Sequence, residues 1–437
     1  MKFIRKIFDN AKPNFDKGGK WEKLYFVFEA FETFFFVPDH TTKETGVQIK
    51  DAIDMKRLMN TVIVAMLPCL LFGMWNVGHQ HFLAIGQEAD LWGKFIFGAI
   101  QVVPIVIVSY AAGLGTEFVF TTIRRHPVNE GYLVTGMLIP LVVPATLPLW
   151  QVAMAAIFSV VIAKEAFGGT GMNILNVALT ARAFLYFAYP MQISGEVWTV
   201  LPEDKTEIVA GYSGATPLAI AAESSSLAST ARKNTVELFN KKTDDPSAKN
   251  EALYTAASNE SAKLNNTHLV LDNLNGHWGA KMYQFNKMFF GFLPGSIGET
   301  SVLMCLIGAM ILIFTGVGSW KIIVSTFVGA YAMGYLFNLF GANEYMYIPA
   351  HYHLVMGGLA FGAVFMATDP VTAAQTETGK WIYGLLIGML TVVIRVLNPA
   401  YPEGIMLAIL LMNVFAPLID FYVVSANKKR RLQRATV

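Results

Sequence analysis

Three groups of residues in this chain have the side-chain types and spacing from which chemistry can be built. The first is "GYSGATPLAIAA", residues 211–222, in which Thr216 stands directly before Pro217. Threonine suits the residue that precedes a helix and proline its first turn, so the stretch predicts a helix capped by the Thr216 hydroxyl. A helix start also presents unpaired N–H groups and a positive dipole end, which stabilise an adjacent phosphate by about 0.3–1 kcal/mol. Gly211, Gly214 and Ala215 leave room beside the hydroxyl for a bulky substituent. A bare helix cap and a phosphate ester on Thr216 both satisfy these residues. The second group is "FGGTGMNILN", residues 167–176, where Asn173 and Asn176 share one face of the following helix. Two carboxamides there can hold a polar heterocycle or cap the helix, and spacing alone favours capping. The third group is Glu117 and Asp420, each flanked by apolar residues. Ionisable groups in such surroundings are costly and point to function, or else to an internal ion pair.

These groups need a frame to position them. Of 437 residues, 54% are hydrophobic and 15% charged, and mean hydropathy is +0.45, so the expected class is an all-α integral membrane protein. The net charge of +2 and the lack of a basic aromatic face argue against nucleic acid. Cys69 and Cys305 lie in apolar runs and read as small buried hydrophobes. More than fifty mostly polar residues precede the first long apolar run, which does not fit a cleaved signal peptide. Ten stretches are long enough to cross a bilayer: 58–77, 95–118, 131–149, 151–166, 174–191, 299–317, 321–340, 352–368, 380–397 and 403–424. Arg124, Arg125, Lys164, Lys321, Lys380 and the tail "NKKRRLQR" would face one side, and the short opposite loops carry little beyond Lys94 and Arg395. By the positive-inside rule both termini are expected in the cytoplasm.

The division that follows is a cytoplasmic segment 1–57, a first membrane half 58–191, an extracytoplasmic loop 192–298, a second half 299–424 and a basic tail 425–437. Residues 17–38 mix aromatics and charges and suit either a surface-lying helix or one docked on a partner subunit. Residues 223–266 read as a flexible or loosely helical insert without chemistry. "PV", "GML" and a proline-rich turn recur in order at 127–148 and 370–402, an echo consistent with two five-helix inverted repeats. Glu165, Arg182, Glu299, Asp369 and Arg395 fall near span ends, where an interfacial charge or an internal ion pair is the simpler reading. His351 and His353 lack companions for a metal shell, and neither a catalytic triad nor a nucleotide-type glycine loop is present.

"SGATPLA", "KEAFGGTGMNILN", "ARAFLYFAYPMQISGEVWT", "LPGSIGETS", "MATDPVT" and "NPAYPEGIMLAILLMNVFAPLID" together resemble the B-type membrane subunits of the sodium-translocating NADH:quinone oxidoreductases. The similarity spans nearly the whole chain apart from 223–290. It implies covalent FMN joined through its phosphoryl group to Thr216 of the Ser213–Gly214–Ala215–Thr216 motif. It also implies riboflavin held near Asn173 and Asn176, which reverses the capping preference. Sodium uptake through Glu117 and Asp420 is implied as well, with a quinone site near the N-terminal segment, Gly113 and Glu117. The implied partners are the other subunits of a respiratory complex in a bacterial inner membrane. They include an FMN-carrying subunit on the outer face and an NADH-oxidising flavoprotein. Val177 stands where the family pattern has proline, and the 223–290 insert is longer than expected. The alternatives are the D-type subunit of the related RNF pump, which shares the threonine motif, a flavin-free channel or transporter, and a passive scaffold.

Overall fold

The computed structural model describes residues 2–16, 18–36, 55–125, 128, 131–195, 197–202, 208–209, 212, 214–222, 283–341, 344–398 and 401–435. The expectations for Gly211, Ser213 and the insert 223–266 therefore fall outside the described residues. The described residues are helices joined by turns. An N-terminal pair, α1 (Lys2–Phe15) and α2 (Tyr25–Phe35), leads into the long α3 (Met55–Ala84) and α4 (Leu91–Arg124). Next come α5 (Tyr132–Leu141), α6 (Leu149–Ser159) and α7 (Val177–Ala188), then residues 217–222 (α8) and α9 (Phe285–Phe290). The second half holds α10 (Val302–Phe314), α11 (Trp320–Phe340), α12 (Tyr352–Val355), α13 (Leu359–Phe361), α14 (Glu377–Leu397) and α15 (Ile405–Ala435). Both α6 and α13 run on into π turns, Val160–Lys164 and Gly362–Met366.

Among the described residues, six helices are long and apolar enough to cross a membrane, and the protein is an all-α integral membrane protein. The other expected spans are shorter or broken. The stretch expected as a continuous span at 131–149 is helical only to Leu141 and then turns through 142–148, because Pro144 and Pro148 cannot continue the ladder. The stretch at 352–368 is interrupted at 356–358, where Gly357 takes a φ of +59° and turns the chain between α12 and α13.

Such breaks leave carbonyls without a helical partner in an apolar interior, where each must find another donor. At the first break, Leu141 O accepts from Gly298 N (2.7 Å), Val143 O from Ile297 N (3.2 Å) and Val142 O from the Arg182 guanidinium. At the second, Arg395 donates to His353 O (2.7 Å) and Met356 O (2.9 Å). Both arginines are buried.

Close helix approach holds the second half together. A Cβ on Gly329, Gly384 or Gly388 would strike the backbone or the Ser325 hydroxyl across the α11–α14 contact, the small-residue packing that apolar surroundings favour. The α4–α6–α7 packing recurs in the same chain order as α11–α14–α15. The sequence echo does not follow this register: its "GML" copies lie on α5 and α14, which hold non-equivalent places in the two series. Cys69 and Cys305 meet across α3 and α10 with their sulfurs 3.8 Å apart.

The N-terminal segment packs on its own chain. α2 folds back on α1 through a stacked Phe15–Phe28 pair (4.7 Å) and through Arg5 and Lys12 against Glu32 (both 3.7 Å). Phe31 then packs on Phe118 of α4 at 5.7 Å. Part of the aromatic face expected to lie on a membrane surface or a partner is thus covered from within, where burial removes it from water.

Replacing Gly388 by leucine is expected to wedge α11 from α14 and cost about 1–3 kcal/mol. Thermal unfolding of the purified protein in detergent should show a lowered midpoint, and a wild-type melt would contradict this packing.

Candidate functional site

Chemistry-bearing residues gather at the two ends of α3. Met59 near its start lines one cavity, called inner after the orientation expected from charge bias, and Asn76 donates to Leu293 O (2.9 Å), a residue of a second cleft, called outer on the same expectation. The stretch of α3 between Met59 and Asn76, at ~1.5 Å per residue, separates these levels by ~25 Å.

The outer cleft includes Thr216, Ser296, Glu299, Thr300, Met356 and Glu403 in its wall. Thr216 caps α8 as its sequence predicts, its Oγ1 accepting from Ala219 N at 3.2 Å. Gly214 and Ala215 are buried behind it, while Thr216 itself stays partly accessible. The helix is seated by Tyr283, whose hydroxyl donates to Pro217 O. Beneath lies Arg182, which donates to Glu299 Oε1 (3.1 Å), Ser296 Oγ (3.3 Å) and Glu403 Oε2. One guanidinium thus ties α7, the turn before α10 and the turn before α15 to the first helix break. The Thr300 hydroxyl oxygen is buried here and has no hydrogen-bond partner among the described residues.

The inner cavity has apolar walls from Val62, Val134, Leu138, Leu312 and Phe365. Its polar lining comes from Thr135, Lys164, Thr170, Asn173, Asn176, Thr368 and Asp369. The loop from α6 to α7 turns on Gly168, Gly169 and Gly171, all at positive φ, which brings both asparagines into the wall. Asn176 caps α7 through Oδ1 to Leu179 N (3.2 Å), and its Nδ2 has no partner among the described residues. That cap starts the helix at Val177 without the proline that the family pattern leads one to expect. Asn173 accepts from Gly171 N (3.3 Å) and donates to Leu175 O (3.1 Å). Both carboxamides therefore cap or brace the backbone while bordering the cavity. The Thr170 Oγ1 in the same wall is buried without a partner among the described residues.

Each of the two sites thus carries a buried hydroxyl without a partner among the described residues, the kind of atom that a bound polar group satisfies. At the outer cleft the N–H groups at the start of α8 offer donors to an anion, whereas Arg182 lies outside the wall and is taken up by Glu299, Glu403 and Val142 O.

The charged residues expected from sequence divide around the inner cavity. Glu117, buried on α4, pairs with Lys164 of the cavity wall. Gly113, one turn earlier, packs against Tyr132, whose hydroxyl donates to Ser109 O at 2.9 Å. Asp420 lies apart from Glu117, behind the segment 369–376. It accepts from Gln375 N (2.7 Å), Thr376 N (3.0 Å) and Thr376 Oγ1 (2.5 Å) at the start of α14. Asp369, lining the cavity, accepts from Thr372 Oγ1 (2.9 Å) and Val371 N (3.2 Å). Glu165 pairs with Arg124 (3.0 Å), and Arg182 with Glu299, so these span-end charges are internal ion pairs.

The NQR2, RnfD, RnfE family pattern matches residues 42–429. The chain belongs to this family. Over 99% of its length it is 43% identical to the B subunit of the Na(+)-translocating NADH-quinone reductase of Chromohalobacter salexigens, covering 96% of that protein. It is 42% identical to the same subunit of Ectopseudomonas mendocina and 40% identical to that of Pseudomonas aeruginosa, over 99% of each chain. Within this family frame, the residues that sequence reasoning passes over are Lys164, Thr170 and Thr300. Lys164 reads there only as an orienting charge, and the two threonines lie within the motifs "FGGTGMNILN" and "LPGSIGETS" without being singled out.

Arg182→Ala would leave Glu299, Glu403 and Val142 O unpaired in the interior, a loss of about 3–5 kcal/mol. The variant is expected to melt far below the wild type or fail to accumulate in the membrane, and unchanged thermal stability would refute this role.

Proposed function

We propose that this chain is the membrane subunit of a redox-driven sodium pump that passes electrons from a partner flavin subunit to quinone. The observation that carries this reading is the pair of cavities at opposite ends of α3, each bordered by residues of a motif that points to flavin. FMN esterified to Thr216 and riboflavin beside Asn173 and Asn176 would supply the electron-carrying chemistry when bound, and the protein fixes their places and surroundings.

The chain's own residues have the following tasks. The partly accessible Thr216 hydroxyl offers the ester oxygen, and Pro217 opens α8, whose N–H groups favour the phosphate charge. Thr300 provides a hydroxyl in the same cleft. At the inner end, Asn176 Nδ2 and Thr170 Oγ1 are poised for a heterocycle's polar edge, while Val134, Leu138 and Phe365 exclude water from its faces. A groove beside α4, bordered by Phe15, Trp21, Tyr25, Phe26, Thr122 and Arg125, suits the flat ring of a quinone. Burial and Glu29 push the Tyr25 phenol up.

The end carrying Arg124, Lys321 and the basic tail is the cytoplasmic one on this reading, by charge bias, and Thr216 faces outward. Electrons would thus travel inward while sodium leaves, with Glu117 and Asp420 as oxygen ligands for a hard cation. For Asp420 this requires sodium to compete with the three donors that hold it. NADH binds to another subunit, since no dinucleotide fingerprint lies in the sequence.

A denaturing gel viewed under ultraviolet light tests the reading against a flavin-free transporter. From a host able to attach flavin, the wild-type band should fluoresce and Thr216→Ala should be dark. A dark wild-type band would overturn it.

A further inference from the structure

The inner end of α4 and the end of α6 are joined by two crossed ion pairs. Glu117 and Arg124, two turns apart on one face of α4, meet Lys164 and Glu165, which are consecutive. The Arg124–Glu165 pair is an anchor: Arg124 also donates to the Glu165 carbonyl at 2.9 Å, and its side chain remains 38% accessible. The Glu117–Lys164 pair is different. Both side chains are buried, at 3% and 5% accessibility, so each has given up hydration that Arg124 largely keeps. The anchor already ties the two helices together, so the buried pair is not the sole ionic link between them.

What sets Lys164 apart is its second neighbour. It is the basic residue among those that line the inner cavity, together with Asn173, Asn176 and Asp369. It ends the π turn Val160–Lys164, and such turns add a residue per turn and re-aim side chains, often at functional sites. A single ammonium therefore stands between a cavity and a carboxylate that the cavity does not reach.

We propose that Lys164 is a positioning residue that couples the charge of the cavity's occupant to the cation affinity of Glu117. The proposal rests on the reading that the cavity takes riboflavin. Electrons delivered by the upstream flavin add negative charge on the cavity side, and the Lys164 ammonium is drawn toward it. Lys164 keeps its proton and forms no covalent bond. Glu117 loses part of its countercharge and becomes a better ligand for a hard monovalent cation, and removal of the electrons restores the pair. Because linkage is reciprocal, cation binding at Glu117 must in turn favour the reduced state of the occupant.

The test is a spectroelectrochemical titration of riboflavin in the purified whole complex at low and high sodium. In the wild type the midpoint potential should rise with sodium. In Lys164→Gln that dependence should be lost while riboflavin stays bound, and Lys164→Arg should restore it in part. A sodium dependence in Lys164→Gln equal to the wild type overturns the proposal. Should Lys164→Gln fail to assemble, Glu117→Gln is compared with the double variant Glu117→Gln/Lys164→Gln. The double variant should hold riboflavin at a lower potential, and equal potentials overturn the proposal. A cavity-filling Val134→Trp tests the underlying reading separately. It should deplete riboflavin and spare the covalent flavin, and full riboflavin content would show that the cavity assignment itself is wrong.

Discussion

A helix that stops inside an apolar medium exposes carbonyl groups that water cannot reach, and the rest of this structure depends on how those groups are satisfied. Two buried arginines carry much of that task. Arg182 reaches across to Val142 O at the break after α5, and Arg395 clamps His353 O and Met356 O between α12 and α13. A guanidinium is suited to this because it stays charged and offers several donors in a fixed plane. The breaks it permits let the chain turn within the bundle. The outer cleft lies where both meet: Met356 and Gly357 line it directly, and Arg182 holds its Glu299 and Glu403.

The same constraint governs the charges at the other end. Glu117, Lys164, Asp369 and Asp420 would each be costly alone in hydrocarbon, yet every one has a partner: an ion pair, a hydroxyl or the start of a helix. They are arranged around one cavity and its neighbouring segment, 369–376. Gln375 braces that segment, its side chain donating to Pro370 O (2.7 Å) and its backbone N–H to Asp420 Oδ2 (2.7 Å). Partnered charges that border a cavity can be re-partnered by what the cavity holds, which a fully enclosed pair cannot.

Much of this is legible in the sequence. Hydropathy places the apolar segments, the prolines of "VVPATLPLW" mark a real break, and Thr216–Pro217 and Asn176 cap helices as their chemistry demands. What is not legible has physical causes. Glu403 lies 221 residues from Arg182, so no local pattern announces the pair. Lys164 owes its place to a π turn, which carries no periodic signature in sequence. Thr170 and Thr300 gain meaning only from being buried without a partner among the described residues, a property of the fold alone. Asp420 reads as a bare charge in a span until the start of α14 is seen to rest on it. The N-terminal aromatics suit a membrane surface in sequence because the pattern shows a face but not what covers it.

The central claim is that an outer helix start carries a flavin phosphate while an inner cavity receives the electrons. Mass spectrometry of the peptide containing Thr216, taken from the assembled native complex, tests this most directly. The account predicts a peptide heavier by one esterified flavin mononucleotide, with fragmentation placing the added mass on Thr216. An unmodified peptide, or a modification on another residue, would contradict it.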